Sequence, residues 1–273
     1  MMITVYFTLK DLDNLESGIT VPGLPLLYRG RILGLIKRAL EAGSEEYKRE
    51  LYTGHVPKHF SFSVYPMGGH TTEKVKVRIK PVLEVETYAI KSKTGVYRLM
   101  ISTADPFFAV ILESGLINMK RHKTVFPFSV DNYMTVDGVK LGIEIDKITM
   151  TERKEIGEHV RFKTLSPLFL NDKNRQPVLY SDTRFEEVLN EVSQYKMERF
   201  FNRKLLKPLQ IEQLTMKQKA VQIVEVKESK PVLKLLCSDG FITLKGHKDD
   251  LNLLYRMGLG MKTGYGFGMV EVA

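Results

Sequence analysis

The chain contains no tryptophan and a single cysteine in 273 residues. One thiol, Cys237, forms neither an internal disulfide nor a cysteine-based zinc site. No run of about 18 uncharged apolar residues occurs, which excludes a transmembrane helix. The opening MMITVYFTLKDLD lacks a cationic lead, a long apolar stretch and a small-residue cleavage site. It reads as the first strand of a cytoplasmic protein rather than as a signal peptide. No cluster of carboxylates, histidines or cysteines has metal-ligand spacing, so neither a metal nor a cofactor is expected. Acidic residues are the scarcer charge: 32 Asp plus Glu face 41 Lys plus Arg, a net charge of +9. Such a surface attracts polyanions, and nucleic acid is the leading partner class. With 43% apolar residues the chain has enough to bury a substantial core, so wholesale disorder is excluded.

Periodicity gives the layout. ITVYFTL (3–9) is a strand by composition. In YRGRILGLIKRALEAG, Ile32, Leu33, Ile36, Ala39 and Leu40 make one apolar helix stripe that Gly43 ends. Strands are predicted at 60–66, 74–80, 84–90 and 95–103, then a helix over 106–117 and a polar linker, NMKRHKT. The second half repeats the order: strands near 141–151 and 158–165, a helix over 181–201 capped by Ser181 or Asp182, two long strands over 209–228 and 231–245, a helix over 247–257 and a last strand. The turn between the long strands is KESKP. Strand, helix, two or more strands, helix, strand is the ferredoxin-like order. The expected fold is α+β, with two tandem ferredoxin-like (RRM-like) domains over 1–122 and 123–273, each an antiparallel sheet with helices on one face.

Three stretches stand out chemically. In the 74–80 strand, alternation puts Lys74, Lys76, Arg78 and Lys80 on one face and three β-branched residues on the other. Four like charges repel one another, and RNA phosphates would relieve that; the plainer alternative is a solvated face. RFFNRKLLK sets two phenylalanines beside Arg203 and Lys204, suited to stacking bases and holding phosphates unless the rings are simply core. Near the end, Gly258, Gly260, Lys262, Gly264, Gly266 and Gly268 fall within eleven residues between a helix and a strand. Glycines there let backbone N–H groups approach an anion, or they simply shape a tight loop. The run is neither a dinucleotide fingerprint nor a P-loop, because a strand rather than a helix follows.

GLGMKTGYGFGMVEV resembles the C-terminal glycine-rich signature of the CRISPR-associated RAMP superfamily. YRGRILGLI, LYTGHVPKHFSFS and TLSPLFL agree in order and spacing. The likeness spans nearly the whole chain and is nearest to the endoribonuclease that processes precursor CRISPR repeat RNA. It implies two ferredoxin-like domains and metal-independent cleavage that leaves a 5′-hydroxyl and a 2′,3′-cyclic phosphate. The implied partner is CRISPR repeat RNA; effector-complex subunits and a second copy of the chain are further candidates, and a membrane is not.

The resemblance also nominates residues. Family members usually have a histidine where Tyr52 stands here, and His55 and His59 are the nearby substitutes. Histidine suits proton transfer at neutral pH, and His55 lies in the loop before the strand. Lys58 matches a lysine that stabilises the pentacoordinate phosphate, and Arg29 an arginine found in some family active sites. Tyr28 and Tyr52 are candidate hydrogen-bond donors. The alternative reading is a repeat-RNA-binding protein of the same superfamily with weak or absent cleavage.

Overall fold

In the computed structural model, which describes residues 1–15, 21–53, 58–80, 83–128, 135–224 and 232–273, strand β1 (Met2–Asp11) sends Ile3, Val5 and Phe7 inward with no exposed surface. That alternation is what a strand covered on one face requires. After β2 (Leu24–Pro25), helix α1 (Arg29–Gly43) buries Ile32, Leu35, Ile36, Ala39 and Leu40. Leu35 thus takes the core position that the sequence pattern assigns to Leu33, which is half-buried. A helix absent from the sequence reading follows: α2 (Glu45–Tyr52), N-capped by Ser44, whose hydroxyl accepts from the Tyr47 N–H at 3.2 Å. It buries no residue fully, so its sequence carries little apolar period.

Next come β3 (Phe60–Pro66), β4 (His70–Lys80), β5 (Leu83–Ser92), β6 (Val96–Thr103) and α3 (Pro106–Arg121). The last four residues of α3 belong to the stretch expected to be a linker. Met119, only 5% exposed, anchors that final turn in the core. The short strands β7 (Phe126–Pro127) and β8 (Thr135–Val136) precede β9 (Leu141–Thr151). The first sheet runs β3-β6-β1-β9-β7, and a second, four-stranded sheet runs β2-β5-β4-β8. The first sheet is completed by β9, which lies past residue 122.

The second half comprises β10 (His159–Thr164), α4 (Phe185–Phe201), β11 (Gln210–Val224), β12 (Val232–Lys245), α5 (Lys248–Met257) and β13 (Val270–Val272). Its sheet runs β11-β12-β10-β13. With the two-residue edge strand β7 set aside and the remaining strands of each sheet numbered first to fourth along the chain, both sheets read second, third, first, fourth, with antiparallel neighbours. That order makes the fold α+β with two ferredoxin-like units in tandem. Helix α4 starts later than predicted and has no side-chain cap; Asp182 instead accepts from the Arg184 N–H at 2.9 Å. The KESKP turn lies outside the described residues. Among the described residues no helix is long and apolar enough to cross a membrane.

One buried arginine ties the halves together. Arg153 donates to Ser102 Oγ (2.9 Å), the Tyr255 carbonyl (2.9 Å) and the Val270 carbonyl, and sits 3.5 Å from the centre of the Tyr255 ring.

Candidate functional site

The glycine run crosses from α5 to β13 and lies against β3. Gly258, Gly260, Gly266 and Gly268 all have positive φ, a conformation that favours glycine. Space matters as much as conformation. A Cβ on Gly264 would come within 2.7 Å of Lys58 Cβ, and one on Gly266 within 2.6 Å of the Phe62 ring. Many loop amides are spent inside the fold: Leu259 N–H donates to the Gly268 carbonyl, Met261 N–H to Phe169, Tyr265 N–H to Lys262 and Gly268 N–H to Pro167. The glycines therefore serve close docking of the loop on β3, and Thr263 Oγ1 donates to the Lys58 carbonyl at 3.3 Å.

Docking closes a cavity of about 790 Å³ whose wall joins both halves of the chain: Tyr52 and Lys58 from the first, Lys196, Lys262, Thr263 and Gly264 from the second. The ammonium of Lys58 donates to the Leu51 carbonyl at 2.6 Å and stands 4.7 Å from the centre of the Tyr52 ring. On that same ring, Lys37 Nζ lies 4.5 Å from the centre. Burial, then the neighbouring Lys37 charge, lowers the Lys58 pKa from the ordinary lysine value. Among the described residues the buried Tyr52 hydroxyl has no hydrogen-bond partner, and burial raises its pKa, so it remains a neutral donor.

His55 lies outside the described residues. His59 is not in the cavity. Its Nε2 is 3.3 Å from Asp105 Oδ2 and its Nδ1 3.3 Å from Thr103 Oγ1, while its ring meets Phe108 and Phe200 edge-on. Asp105 is held in turn by the Tyr47 hydroxyl (2.5 Å) and caps α3 through the Phe107 N–H (2.8 Å). Burial outweighs Asp105 and lowers the His59 pKa, so at neutral pH this is an uncharged ring in a packing role.

Arg29 is 7% exposed, one turn before Ile32 on the buried face of α1, and its Nε donates to the Gly266 carbonyl at 3.3 Å. Its guanidinium lies 5.1 Å from the Tyr28 ring centre and 4.9 Å from that of Phe267. Tyr28 and Arg29 line a different, larger cleft of about 980 Å³, whose wall also carries Tyr65, Lys163, Lys217 and Lys219. These lysines escaped the sequence reading. Lys217 and Lys219 alternate on β11, and that spacing is the signal that could have found them.

On β4, Val75, Val77 and Ile79 are buried while Lys74, Lys76 and Arg78 are exposed, as alternation predicts. The side chain of Lys80 lies outside the described set. The stripe is not a lone column of positive charge. Glu86 is the cross-strand partner of Lys76, and Glu84 that of Arg78; the Glu84 carboxylate is 3.7 Å from Lys76 and 3.9 Å from Arg78. Repulsion is relieved within the sheet, so the stripe does not by itself require a polyanion. Arg203 pairs at 2.6 Å with Asp250, which has no exposed surface, and Lys204 is exposed. Phe200 and Phe201 pack against the second core.

Residues 150–272 match the family model described as CRISPR associated protein Cas6, C-terminal. No curated protein matches the sequence. Among solved structures the chain is similar to one described as a Cas6-related gene from Pyrococcus furiosus, at 19% identity and a TM-score of 0.71, covering 100% of this chain and 98% of that one. It is similar also to a RAMP protein described as binding different RNA substrates (18% identity, TM-score 0.72, 100% and 99% covered). A third is titled CRISPR associated protein Cas6 (20% identity, TM-score 0.67, 100% and 99% covered). Residues 150–272, somewhat under half of the chain, thus carry the match to the Cas6 C-terminal model, and the whole chain shares the fold of these Cas6 and RAMP structures.

Proposed function

We propose that this protein is a metal-independent endoribonuclease that cuts CRISPR repeat RNA into guide-sized products. The observation that carries the reading is the cationic cavity in which Lys58 and Tyr52 meet the glycine loop. The match of residues 150–272 to the Cas6 C-terminal model supports repeat-RNA processing as the task. In the reaction, the ribose 2′-hydroxyl loses its proton and attacks the adjacent phosphorus. The P–O5′ bond then breaks and O5′ takes up a proton, leaving a 2′,3′-cyclic phosphate and a 5′-hydroxyl. The nucleophile belongs to the substrate, so proximity is already supplied. The protein adds a proton shuttle and positive charge. Here Lys58 faces the pentacoordinate phosphate, Tyr52 donates a hydrogen bond, and His55 moves the proton. Arg29 positions the loop through Gly266 and, with Tyr28 and the lysines of the larger cleft, takes the RNA strand. The first unit, whose sheet takes in β7 and β9 beyond the expected boundary at residue 122, supplies the chemistry, and the glycine loop comes from the second. Effector-complex subunits and a second copy of the chain are the protein partners this reading admits.

A chelator-resistant cleavage assay tests it, with 5′-labelled repeat RNA beside a copy carrying a 2′-deoxy nucleotide at the cut site. Wild type cuts only the ribose substrate, and Lys58→Ala or His55→Ala slows cutting at least about a hundredfold. Cleavage of the deoxy substrate overturns the mechanism, and normal cutting by His55→Ala removes that residue from it. A second reading, a repeat-RNA-binding protein with weak cleavage, draws on Tyr52, whose buried neutral hydroxyl is a poor base at neutral pH. A gel shift without product would establish it.

A further inference from the structure

Helix α4 carries a lysine where its core stripe calls for an apolar residue. Leu189, Val192, Lys196, Met197 and Phe200 recur at helical spacing, and Lys196 is 3% exposed. Its ammonium donates to the Gly258 carbonyl at 2.8 Å, the one acceptor it has among the described residues. Among the described residues no carboxylate pairs with it. A buried ammonium facing a single neutral carbonyl is poorly compensated. The cavity that it lines with Tyr52 and Lys58 is where an anion would supply the missing charge.

We propose that Lys196 is a second phosphate-contacting lysine of this cavity, and that it takes up its proton as RNA binds. The proposal rests on the RNA-processing reading above and adds a residue to it.

The surroundings favour the assignment. Two carboxylates line the cavity, and both are engaged elsewhere: Asp172 with Arg184 at 3.1 Å and Glu191 with Lys173 at 3.2 Å. Lys58, just before β3, Lys262 of the glycine loop and Lys173 add positive charge; Tyr52, Tyr195 and Tyr265 add hydroxyls. Burial lowers the Lys196 pKa to about 7. In free protein the side chain is therefore largely neutral at pH 8, and a phosphate beside it pulls the proton on. Were Lys196 only a strut for the loop, a neutral donor to the Gly258 carbonyl would do the same work.

Isothermal titration of non-cleavable repeat RNA, 2′-deoxy at the cut site, measures both affinity and proton uptake when run in two buffers of different ionisation enthalpy. Wild type should take up nearly one more proton at pH 8 than Lys196→Gln, and little more at pH 6. At pH 6 Lys196→Gln should bind roughly tenfold more weakly, with the loop still docked, and Lys196→Arg should restore affinity without the uptake. Equal uptake by wild type and Lys196→Gln, or equal affinity at pH 6, overturns the proposal. If Lys196→Gln does not fold, the decision falls to Lys196→Arg: uptake at pH 8 equal to that of wild type overturns the proposal, and its loss supports it. Wild type that fails to bind repeat RNA at all overturns this inference together with the RNA-processing reading. Wild type that binds and cuts, with Lys196→Gln unchanged, overturns this inference alone.

Discussion

At the scale of single residues, the site is defined by polar groups that the free protein leaves incompletely satisfied. The Tyr52 hydroxyl is buried without a partner among the described residues, and such a group costs stability rather than adding it. Tyr52→Phe should therefore melt at the wild-type temperature or slightly above, while repeat-RNA cleavage falls severalfold; a lower melting temperature would show that the hydroxyl supports the fold. His59 makes the opposite case. Its folded-state pKa lies below the unfolded one, so the unfolded chain takes the proton first as pH falls. The stability that neutral His59 contributes is complete at high pH and declines as pH drops through roughly 6.5, the unfolded value. Wild type should lose melting temperature between pH 7.5 and 5.5 more steeply than His59→Gln, and parallel losses would count against this role.

At the scale of elements, the glycine loop and β3 act as one piece. Gly266 has φ +81° and abuts the Phe62 ring, so Gly266→Ala should cost roughly 1–3 kcal/mol of stability, read by chemical denaturation. Gly264 lacks the positive φ, and its neighbour is Lys58. Gly264→Ala should accordingly impair cleavage more than stability, and the reverse ranking would separate the loop from the site. Much of this architecture is legible in the sequence. Alternation along KVKVRIK marks β4, and the apolar stripe marks α1, because a half-buried element must repeat with its own period; FSFSVYP alternates too, yet β3 buries Ser61 and Ser63 as fully as Phe60 and Phe62. Helix α2 escapes that logic because it buries no residue fully. The likeness of LYTGHVPKHFSFS to family sequences picks out Lys58 and Tyr52, but it cannot tell that His59 is turned toward Asp105. Side-chain direction at the first residues of a strand depends on what packs above it. The β4 cations read as an RNA stripe only while β5 is ignored, since Glu84 and Glu86 lie on the next strand. Lys196 was readable as a charge in an apolar stripe, yet its meaning depends on a loop some 60 residues further on.

At the scale of the molecule, Arg153 is one of several ties between the two ferredoxin-like units, beside the glycine loop docked on β3. Its hydrogen bonds reach β6, α5 and β13 at once. Arg153→Met removes them and should lower stability by roughly 3 kcal/mol. Thermal unfolding followed by circular dichroism should then broaden or split into two transitions, and a single sharp transition at the wild-type temperature would mean that the halves are held together elsewhere.

The bond between Thr263 and Lys58 spans 205 residues of chain. During synthesis, the first half emerges and folds long before the loop that walls its cavity exists. A nascent chain carrying Lys58 and Tyr52 thus leaves β3 and the residues leading into it bare, and the pocket is complete only after residue 268 has left the ribosome. Any activity that depends on the closed pocket is withheld until translation of the loop is finished.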